Sequence, residues 1–365
     1  MPDFTVGVEE EYFLVDANTR QLHPRSDAVL AAAPNRADDQ LEPELHRSQI
    51  EMGTAVCDTL AELRADIRRL RSNLSTGAAE VGARLMASGT HPFAQWDDDP
   101  DITPKPAYRR LERDYQQLAR EQLVCGCHIH VGVTDPEMAI QIMNRARLWL
   151  PVLIALSANS PYWLGVDTDY ASYRTEIFNR WPTAGMPEPF ASRAQYDALV
   201  DDMVNIEGID QPARLYWALR PSARYDTLEF RAADVCSNVD EAVTIAAIAR
   251  ALVETFHGEV ASGLPAETPR PELLRAALWR AARFGLTDRL VDVHEPAIRP
   301  AAEVVTGLLD LIEPVLVERG EWAEVVSTCH RLIRTGNGAQ RQRRAMEERG
   351  SLEGVVDMLV ETTSG

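Results

Sequence analysis

Lysine is almost absent from this chain, and its absence excludes two kinds of chemistry. Lys105 is the only lysine among 365 residues, so nearly all of the 37 basic residues are arginines. No Gly-Lys pair exists, which excludes the lysine of a phosphate-binding P-loop. Lys105 stands between two prolines in a segment predicted to be exposed, which also disfavours a buried Schiff-base lysine for pyridoxal phosphate.

Positive charge and long apolar runs are scarce as well. The formal net charge is −19, so the basic footprint of a nucleic-acid-binding protein is missing. No run of 18 apolar residues occurs, and the first residues do not combine a basic segment with an apolar one as a secretory signal does. The five cysteines are odd in number and widely spread, which fits a reducing compartment. These features predict a cytoplasmic protein that binds neither nucleic acid nor membrane.

Strand patterns come early in the chain and helical patterns come late. Apolar spacing predicts early helices at 58–86, with Asp58 as cap, at 107–122 and at 136–159. This order predicts an α+β fold in which an antiparallel sheet is backed by helices. The predicted strands span 4–16, 124–133, 213–220 and 226–235, and the predicted late helices span 240–262, 271–284, 298–318, 321–334 and 339–349, followed by a fraying tail.

Four short stretches of this sequence, at 7–11, 49–53, 127–131 and 228–231, place charged or imidazole side chains among apolar ones. Side chains two residues apart on a strand point the same way, so Glu9 would lie beside Glu11, and His128 beside His130. If the strands share a sheet, one face carries a cluster of carboxylates that divalent cations must neutralise. Magnesium prefers such oxygen ligands, whereas a zinc site would use more histidine. The members of the predicted cluster are Glu9, Glu11, Glu44, Glu51, His128, His130, Glu229 and Arg231.

Each stretch also has a plainer interpretation. Glu51 lies among apolar residues, and Arg47 is an alternative partner to a metal ion. Glu229 and Arg231 have the spacing of an ordinary surface ion pair. The two histidines alone are typical of packing or of a polar surface. The functional interpretation therefore depends on all four stretches meeting in one place.

A segment at 161–190, rich in proline, glycine and aromatic residues, is predicted to be a substrate loop or lid. Tyr173, Arg174 and Arg180 bring arginine and aromatic side chains together there. A bidentate arginine matches the geometry of a substrate carboxylate. The alternative for Arg180 is a salt bridge that fixes the loop.

Six motifs in a fixed order now resemble one family. The chain is similar to the glutamate–cysteine ligase type 2 family, in particular to YbdK-type carboxylate–amine ligases, over residues 4–260 and more loosely beyond. The resemblance implies a curved antiparallel sheet like that of glutamine synthetase, with ATP and magnesium ions on its concave face. It implies a catalytic region at 1–262 and a helical portion of the same domain at 263–365. The motifs are Gly7-Val-Glu-Glu-Glu-Tyr12, Glu44 with Glu51, Ser88-Gly-Thr-His-Pro92, Gly126-Cys-His-Ile-His130, Ser157-Ala-Asn-Ser-Pro161 through Tyr173-Arg174, and Thr227-Leu-Glu-Phe-Arg231.

The resemblance also implies an activity. ATP, L-glutamate and L-cysteine or another amine would give a γ-glutamyl amide, ADP and phosphate through an acyl phosphate. Two alternatives stay open: an ATP:guanidino phosphotransferase of the same fold, and a non-catalytic divalent-cation-binding protein. The amine acceptor and any homo-oligomer also stay open.

The resemblance assigns roles to individual residues. Two or three Mg²⁺ ions, with Mn²⁺ as the alternative, would be held by metal ligands on the sheet. Arg231, together with Glu229, would act on the transferred phosphoryl group, and Arg174 would hold the substrate carboxylate with Tyr173 and Arg180 nearby. His130 and His91 are candidate site residues without an assigned role. The implied metal ligands are Glu9, Glu11, Glu44, Glu51, His128 and Glu229.

Overall fold

An antiparallel sheet forms the centre of the computed structural model, which describes residues 4–34, 40–98 and 102–364. Within these residues the strands follow the order β2-β3-β1-β5-β9-β8, and β4 pairs with the second half of β1. Two separate hairpins, β6–β7 and β10–β11, lie outside the sheet. The predicted antiparallel sheet is confirmed. The strands are β1 Val6–Asp16, β2 Leu41–Pro43, β3 Gln49–Gly53, β4 Ala83–Met86, β5 Gly126–Gly132, β6 Tyr162–Trp163, β7 Val166–Asp167, β8 Leu219–Pro221, β9 Thr227–Asp234, β10 Arg289–Asp292 and β11 Ala297–Pro300.

Helices cover one face of this sheet and form the C-terminal part. The long helix α9 is buried along most of its length and packs against α2, α5, α6 and β5. The described helices are α1 Ser26–Ala32, α2 Leu60–Glu80, α3 Pro106–Tyr115, α4 Gln117–Arg120, α5 Pro136–Ala146, α6 Leu150–Ser157, α7 Tyr173–Phe178, α8 Arg193–Asn205, α9 Val239–Ala261, α10 Pro271–Phe284, α11 Ala301–Glu318, α12 Trp322–Thr335, α13 Gly338–Arg349 and α14 Leu352–Ser364, with short 3-10 turns at Trp96–Asp98, Arg147–Trp149 and Pro212–Arg214.

The predicted helix at 58–86 is wrong at both ends. Its N-cap is Thr59 rather than Asp58, because the Thr59 side chain accepts from the Glu62 amide in a reciprocal capping box. The helix ends at Glu80, and Gly82 then adopts φ +78, a left-handed conformation that glycine takes without strain. The chain reverses there, and Ala83–Met86 pair with β1 as β4.

Two other predicted helices are interrupted. Gln116, with φ 50, separates α3 from α4 within the predicted 107–122 helix. The predicted 136–159 helix is divided by the 3-10 turn Arg147–Trp149, where Pro151 stands in the first turn of α6 and has no backbone amide to continue the α-helical ladder. The helical stretch from Pro136 to Ser157 has the length and apolar character of a membrane span, but 94% of its most apolar window is buried inside the fold.

Several smaller boundaries also differ from prediction. The segment 161–190 is not an unstructured loop, because it contains β6, β7 and α7. Of the predicted 213–220 strand, only residues 219 and 220 belong to β8, and Trp217 forms an isolated bridge with Gly185. Residues 298–300 belong to β11 rather than to a helix. The predicted fraying tail is instead α14, where the buried Thr363 hydroxyl accepts from the Ala87 amide at 2.9 Å.

Candidate active site

The register of the sheet places the predicted polar residues on one face. In β1, Val6 and Val8 are buried against the core, so Glu9 and Glu11 point to the opposite side. Neighbouring strands then place their own polar residues directly alongside. The paired positions are Glu9 with His128, Glu11 with Glu51, and His130 with Glu229.

Three of these side chains converge closely enough to share one cation. Ligand atoms of Glu9, His128 and Glu229 all lie within 4.8 Å of one another. His128 Nδ1 is 3.4 Å from Glu9 Oε2, and His128 Nε2 is buried without a hydrogen-bond partner among the described residues. An unpartnered buried imidazole nitrogen beside two carboxylates has the donor chemistry of a metal ligand.

The two histidines set the charge state of Glu9. Burial alone would raise the pKa of Glu9, but hydrogen bonds from His128 and His130 outweigh it and hold the pKa well below its usual range. Burial and the nearby Arg231 guanidinium lower the pKa of His128. The glutamate is therefore anionic, and its neighbouring imidazole is readily available as a neutral ligand.

A second group of carboxylates is poorly compensated, because burial and like charges outweigh the attraction of Lys105 for Glu44. Burial and the charge of Glu11 raise the pKa of Glu44 to about 7, although the Tyr108 hydroxyl donates to Glu44 at 2.7 Å. Burial, followed by the charges of Glu44 and Glu9, raises the pKa of Glu51 well above its usual value. Glu51 has no ion-pair partner anywhere in the described ranges, so the alternative pairing with Arg47 is not found. Like charges gathered in this way are relieved by a bound cation.

Glu229 differs because two arginines flank it. Arg220, which lies directly opposite on β8, places Nε 3.1 Å from Glu229 Oε2, and Arg231 contacts the other oxygen. Burial raises the pKa of Glu229, but Arg231 and then Arg220 lower it to about 2. Arg220 was not predicted as a site residue. Arg220 could be recognised only by its position opposite Glu229 across a hairpin, and the sequence alone does not give the register of those two strands.

Arg174 lies in the same region, and the lack of a side chain at Gly126 makes room for its guanidinium. A Cβ on Gly126 would come within 2.1 Å of Arg174 Nη2, so only glycine leaves room for this guanidinium. Arg174 is 2% exposed and stacks on Phe178 at 5.2 Å. Its nearest carboxylate is Asp234 at 4.0 Å, whose oxygens are occupied by the Asn159 amide and by two serine hydroxyls. Arg174 is thus a buried cation with capacity for another anion.

Three predicted site residues do not join the cluster. Arg180 forms an ion pair with Glu121, which matches the alternative of a loop fixed by a salt bridge. The Tyr173 ring packs against Trp163 and Tyr170. His91 bonds the Arg20 carbonyl through Nε2 at 2.9 Å and accepts from two backbone amides through Nδ1, so its role is to hold a turn.

The set of donors fits magnesium. Carboxylates predominate, Nε2 of His128 and Nε2 of His130 lack hydrogen bonds among the described residues, and burial with like charges raises the pKa values of Glu44 and Glu51. Mg²⁺ takes one or two protein carboxylates and completes its shell with water and phosphate oxygens. A cavity of about 360 Å³ adjoins the cluster, and Glu9, Glu51, His130 and Tyr225 contribute to its wall.

Comparison with known proteins gives a consistent result. The family model for "Glutamate-cysteine ligase family 2" matches residues 5–358. A protein of Rhodopirellula baltica named "Putative glutamate–cysteine ligase 2" is 42% identical over 98% of this chain and 96% of its own length. A protein of Mycolicibacterium smegmatis named "Putative glutamate–cysteine ligase 2-2" is 43% identical over 99% of this chain and 90% of its own length. A crystal structure of glutamate–cysteine ligase from Francisella tularensis in complex with AMP matches with a TM-score of 0.75 at 12% identity, covering 100% of this chain and 89% of the other.

Proposed function

Because the chain belongs to glutamate–cysteine ligase family 2, we propose that it joins the side-chain carboxylate of L-glutamate to an amine at the expense of ATP. The products would be a γ-glutamyl amide, ADP and phosphate. The observation that carries this proposal is the meeting of Glu9, His128, Glu229 and Arg231 on one sheet face. An amide-forming ligase needs cation-binding carboxylates beside an arginine, because charge accumulates on the transferring phosphoryl group.

The metal-binding part is assigned to the carboxylates of the face and to His128. Glu9, His128 and Glu229 would hold one ion, and Glu11, Glu44 and Glu51 would hold one or two more. Bound there, magnesium neutralises phosphate oxygens and orients them. The cavity of about 360 Å³ at the edge of this cluster is the proposed place for the nucleotide.

The protein's own residues would act at the other half of the face. Arg231 lies beside Glu229 and would move its guanidinium to the phosphoryl group as ATP displaces that ion pair. Arg174 would bind a carboxylate of glutamate through its guanidinium N–H groups. Asp234 leaves these available, because it lies 4.0 Å away and its oxygens accept from serine hydroxyls. The glutamate oxygen then attacks the γ-phosphorus, ADP leaves, and an acyl phosphate forms. The neutral amine nitrogen attacks the acyl carbon, the C–O bond to phosphate breaks, and the proton lost from nitrogen leaves with the phosphate.

The test is ADP release with MgATP and L-glutamate against a panel of amines, with mass spectrometry of the products. An amide mass that requires glutamate and one amine supports the proposal. Arg231→Gln should lower kcat by about 10³-fold or more, as expected for loss of an arginine on the transferring group. Arg349→Gln, at an exposed ion pair remote in sequence from the sheet, is the matched control. A phosphorylated acceptor without an amide would instead favour the phosphotransferase alternative, and no ADP in any combination would contradict the proposed ligase.

A further inference from the structure

A second cavity adjoins the region of Arg174 and Arg231. The small cavity that these arginines line and a larger one of about 370 Å³ share Asn179, Gly185 and Leu278 in their walls. The larger cavity extends along α7 and α10, away from the sheet. The shared residues place the larger cavity next to the small one beside Arg231.

Arg147 lines the larger cavity with its charge unbalanced. The residue is 1% exposed, and it donates from Nε to the Asn144 carbonyl and from Nη1 to the Pro187 carbonyl, both at 3.2 Å. Nη2 has no hydrogen-bond partner, and no described carboxylate forms an ion pair with Arg147. The exposed Glu188 acts on this guanidinium only from a greater distance. A buried arginine without a counter-ion is costly, so the arrangement indicates an anionic ligand.

Glu176 supplies the opposite charge in the same cavity. It is half-buried on α7, between Arg174 and Asn179 in sequence, and burial raises its pKa. Among the described residues it makes no hydrogen bond and no ion pair. Arg147 and Glu176 thus present to the cavity a cation and a carboxylate that have no ion-pair partner among the described residues, and together they complement a zwitterion. The other two charged side chains of the wall, Glu188 and Arg275, are exposed.

Apolar side chains form a part of the remaining wall. Leu274, Leu278 and Trp279 of α10 contribute to it, and Trp279 is 46% exposed. A volume of about 370 Å³ lies in the range that holds ligands of drug size, and it exceeds what cysteine needs. An occupant with an apolar body would remove this surface from water.

We propose that this cavity binds the amine acceptor, and that the acceptor is an amino acid whose apolar side chain is larger than that of cysteine. Arg147 selects its carboxylate, Glu176 receives its amino group on the side nearer Arg174, and the α10 residues contact its side chain. This inference rests on the proposed function, since it names the acceptor of that reaction.

Matched acceptor pairs test the role of Arg147. L-phenylalanine is compared with 2-phenylethylamine, and L-cysteine with cysteamine, because each pair differs only in the carboxylate. Arg147→Gln should raise the KM for L-phenylalanine at least about tenfold, as expected for loss of a charge-assisted pair. It should leave the KM values for 2-phenylethylamine, ATP and glutamate within about twofold of the wild type. Arg349→Gln, at an exposed arginine outside this cavity, is the control and should change neither.

A second variant guards against a purely structural effect, since Arg147 also holds the Pro187 carbonyl. Glu176→Gln should raise the KM for both members of each pair, because both carry the amine. Equal KM changes for L-phenylalanine and 2-phenylethylamine in Arg147→Gln would overturn the inference. So would a wild-type preference for cysteine over phenylalanine.

Hydroxylamine separates this inference from the proposed function. It is small enough to attack an acyl phosphate without the cavity, so γ-glutamyl hydroxamate from MgATP and glutamate reports the ligase chemistry alone. Hydroxamate with no carboxylate selectivity overturns the acceptor site and leaves the ligase standing. If no hydroxamate forms, the proposed function fails, and titration of Trp279 fluorescence with L-phenylalanine still decides whether the cavity binds. Trp279→Phe supplies the background, and no binding by the wild type overturns the site.

Discussion

The buried ion pair between Glu10 and Arg71 allows a sharp test of what holds the site in register. Glu10 is fully buried on the core face of β1, between the two glutamates that face the site. Arg71 of α2 contacts it through two bonds, Nη2 to Oε1 at 2.7 Å and Nε to Oε2 at 3.0 Å. Arg71 also donates to the carbonyls of Cys236 and Ser237 just beyond β9. One guanidinium thus joins β1, α2 and the end of β9.

Glu10→Gln removes the negative charge and keeps the volume, so Arg71 is left as a buried cation without a counter-ion. Removing one partner of a buried ion pair costs about 3–5 kcal/mol. Because the two backbone carbonyls still accept from Arg71, we expect the lower end, about 3 kcal/mol of the free energy of unfolding. Native domains have only about 5–15 kcal/mol in total, so this loss is large.

Urea unfolding followed by circular dichroism measures this loss. The control is Glu361→Gln, which breaks a pair of the same 2.7 Å length with Arg349 at an exposed site, where about 1 kcal/mol or less is expected. The double variant Glu10→Gln with Arg71→Met should recover part of the loss, since it removes the orphaned charge. If the Glu10 and Glu361 variants lose the same small amount, the reasoning from burial is refuted.

Three further predictions concern pH, metal and packing. Burial lowers the pKa of His91 to about 4, below its unfolded value of about 6.5. The contribution of neutral His91 to the free energy of unfolding is therefore complete above pH 6.5 and is lost as the pH falls through 4. Urea unfolding from pH 7 to pH 4 should show about 3 kcal/mol more loss in the wild type than in His91→Gln, and equal losses would contradict it. Glu51→Gln should raise the melting temperature in EDTA, because it removes like-charge repulsion, and should reduce the further rise that MgCl₂ produces; a lower melting temperature in EDTA would count against the repulsion. Gly126→Ala should raise the KM for glutamate at least about tenfold by displacing Arg174, while the KM for ATP stays unchanged; an unchanged KM for glutamate would remove Arg174 from substrate binding.

Much of the fold follows from local patterns. Alternation of apolar and polar residues predicted β1, β5 and β9, because a shift of one residue would turn the apolar side chains of each strand away from the core. Helix α10 has its predicted bounds, since Pro271 occupies its first turn and Gly285 follows its end. Where two signals competed, the prediction failed. Apolar spacing continued past Glu80 at helical period, but Gly82 allowed the reversal that makes β4.

The site residues divide in the same way. The sequence predicted the polar face because its residues lie two apart on single strands. It did not predict Arg220 or Asp234, since their importance arises from partners on other strands and helices. Arg180 is the reverse case. The composition of its segment matched a substrate loop, but its side chain forms an ion pair with Glu121. Composition identifies chemistry, and only pairing across the fold decides which groups share it.

The face of the sheet has two electrostatic halves, and their difference constrains how the site works. Glu229 is already neutralised by Arg220 and Arg231, which is why its pKa falls to about 2. For Glu44 and Glu51, burial and like charges outweigh the nearby Lys105, and their pKa values rise. A cation that enters this face therefore gains the most electrostatic free energy beside Glu44 and Glu51. An anion entering it gains most beside Arg231, once the ion pair with Glu229 opens. A ligand with bound cations and a transferable anionic group would satisfy both halves together, and neither a free metal ion nor a free anion can do so alone.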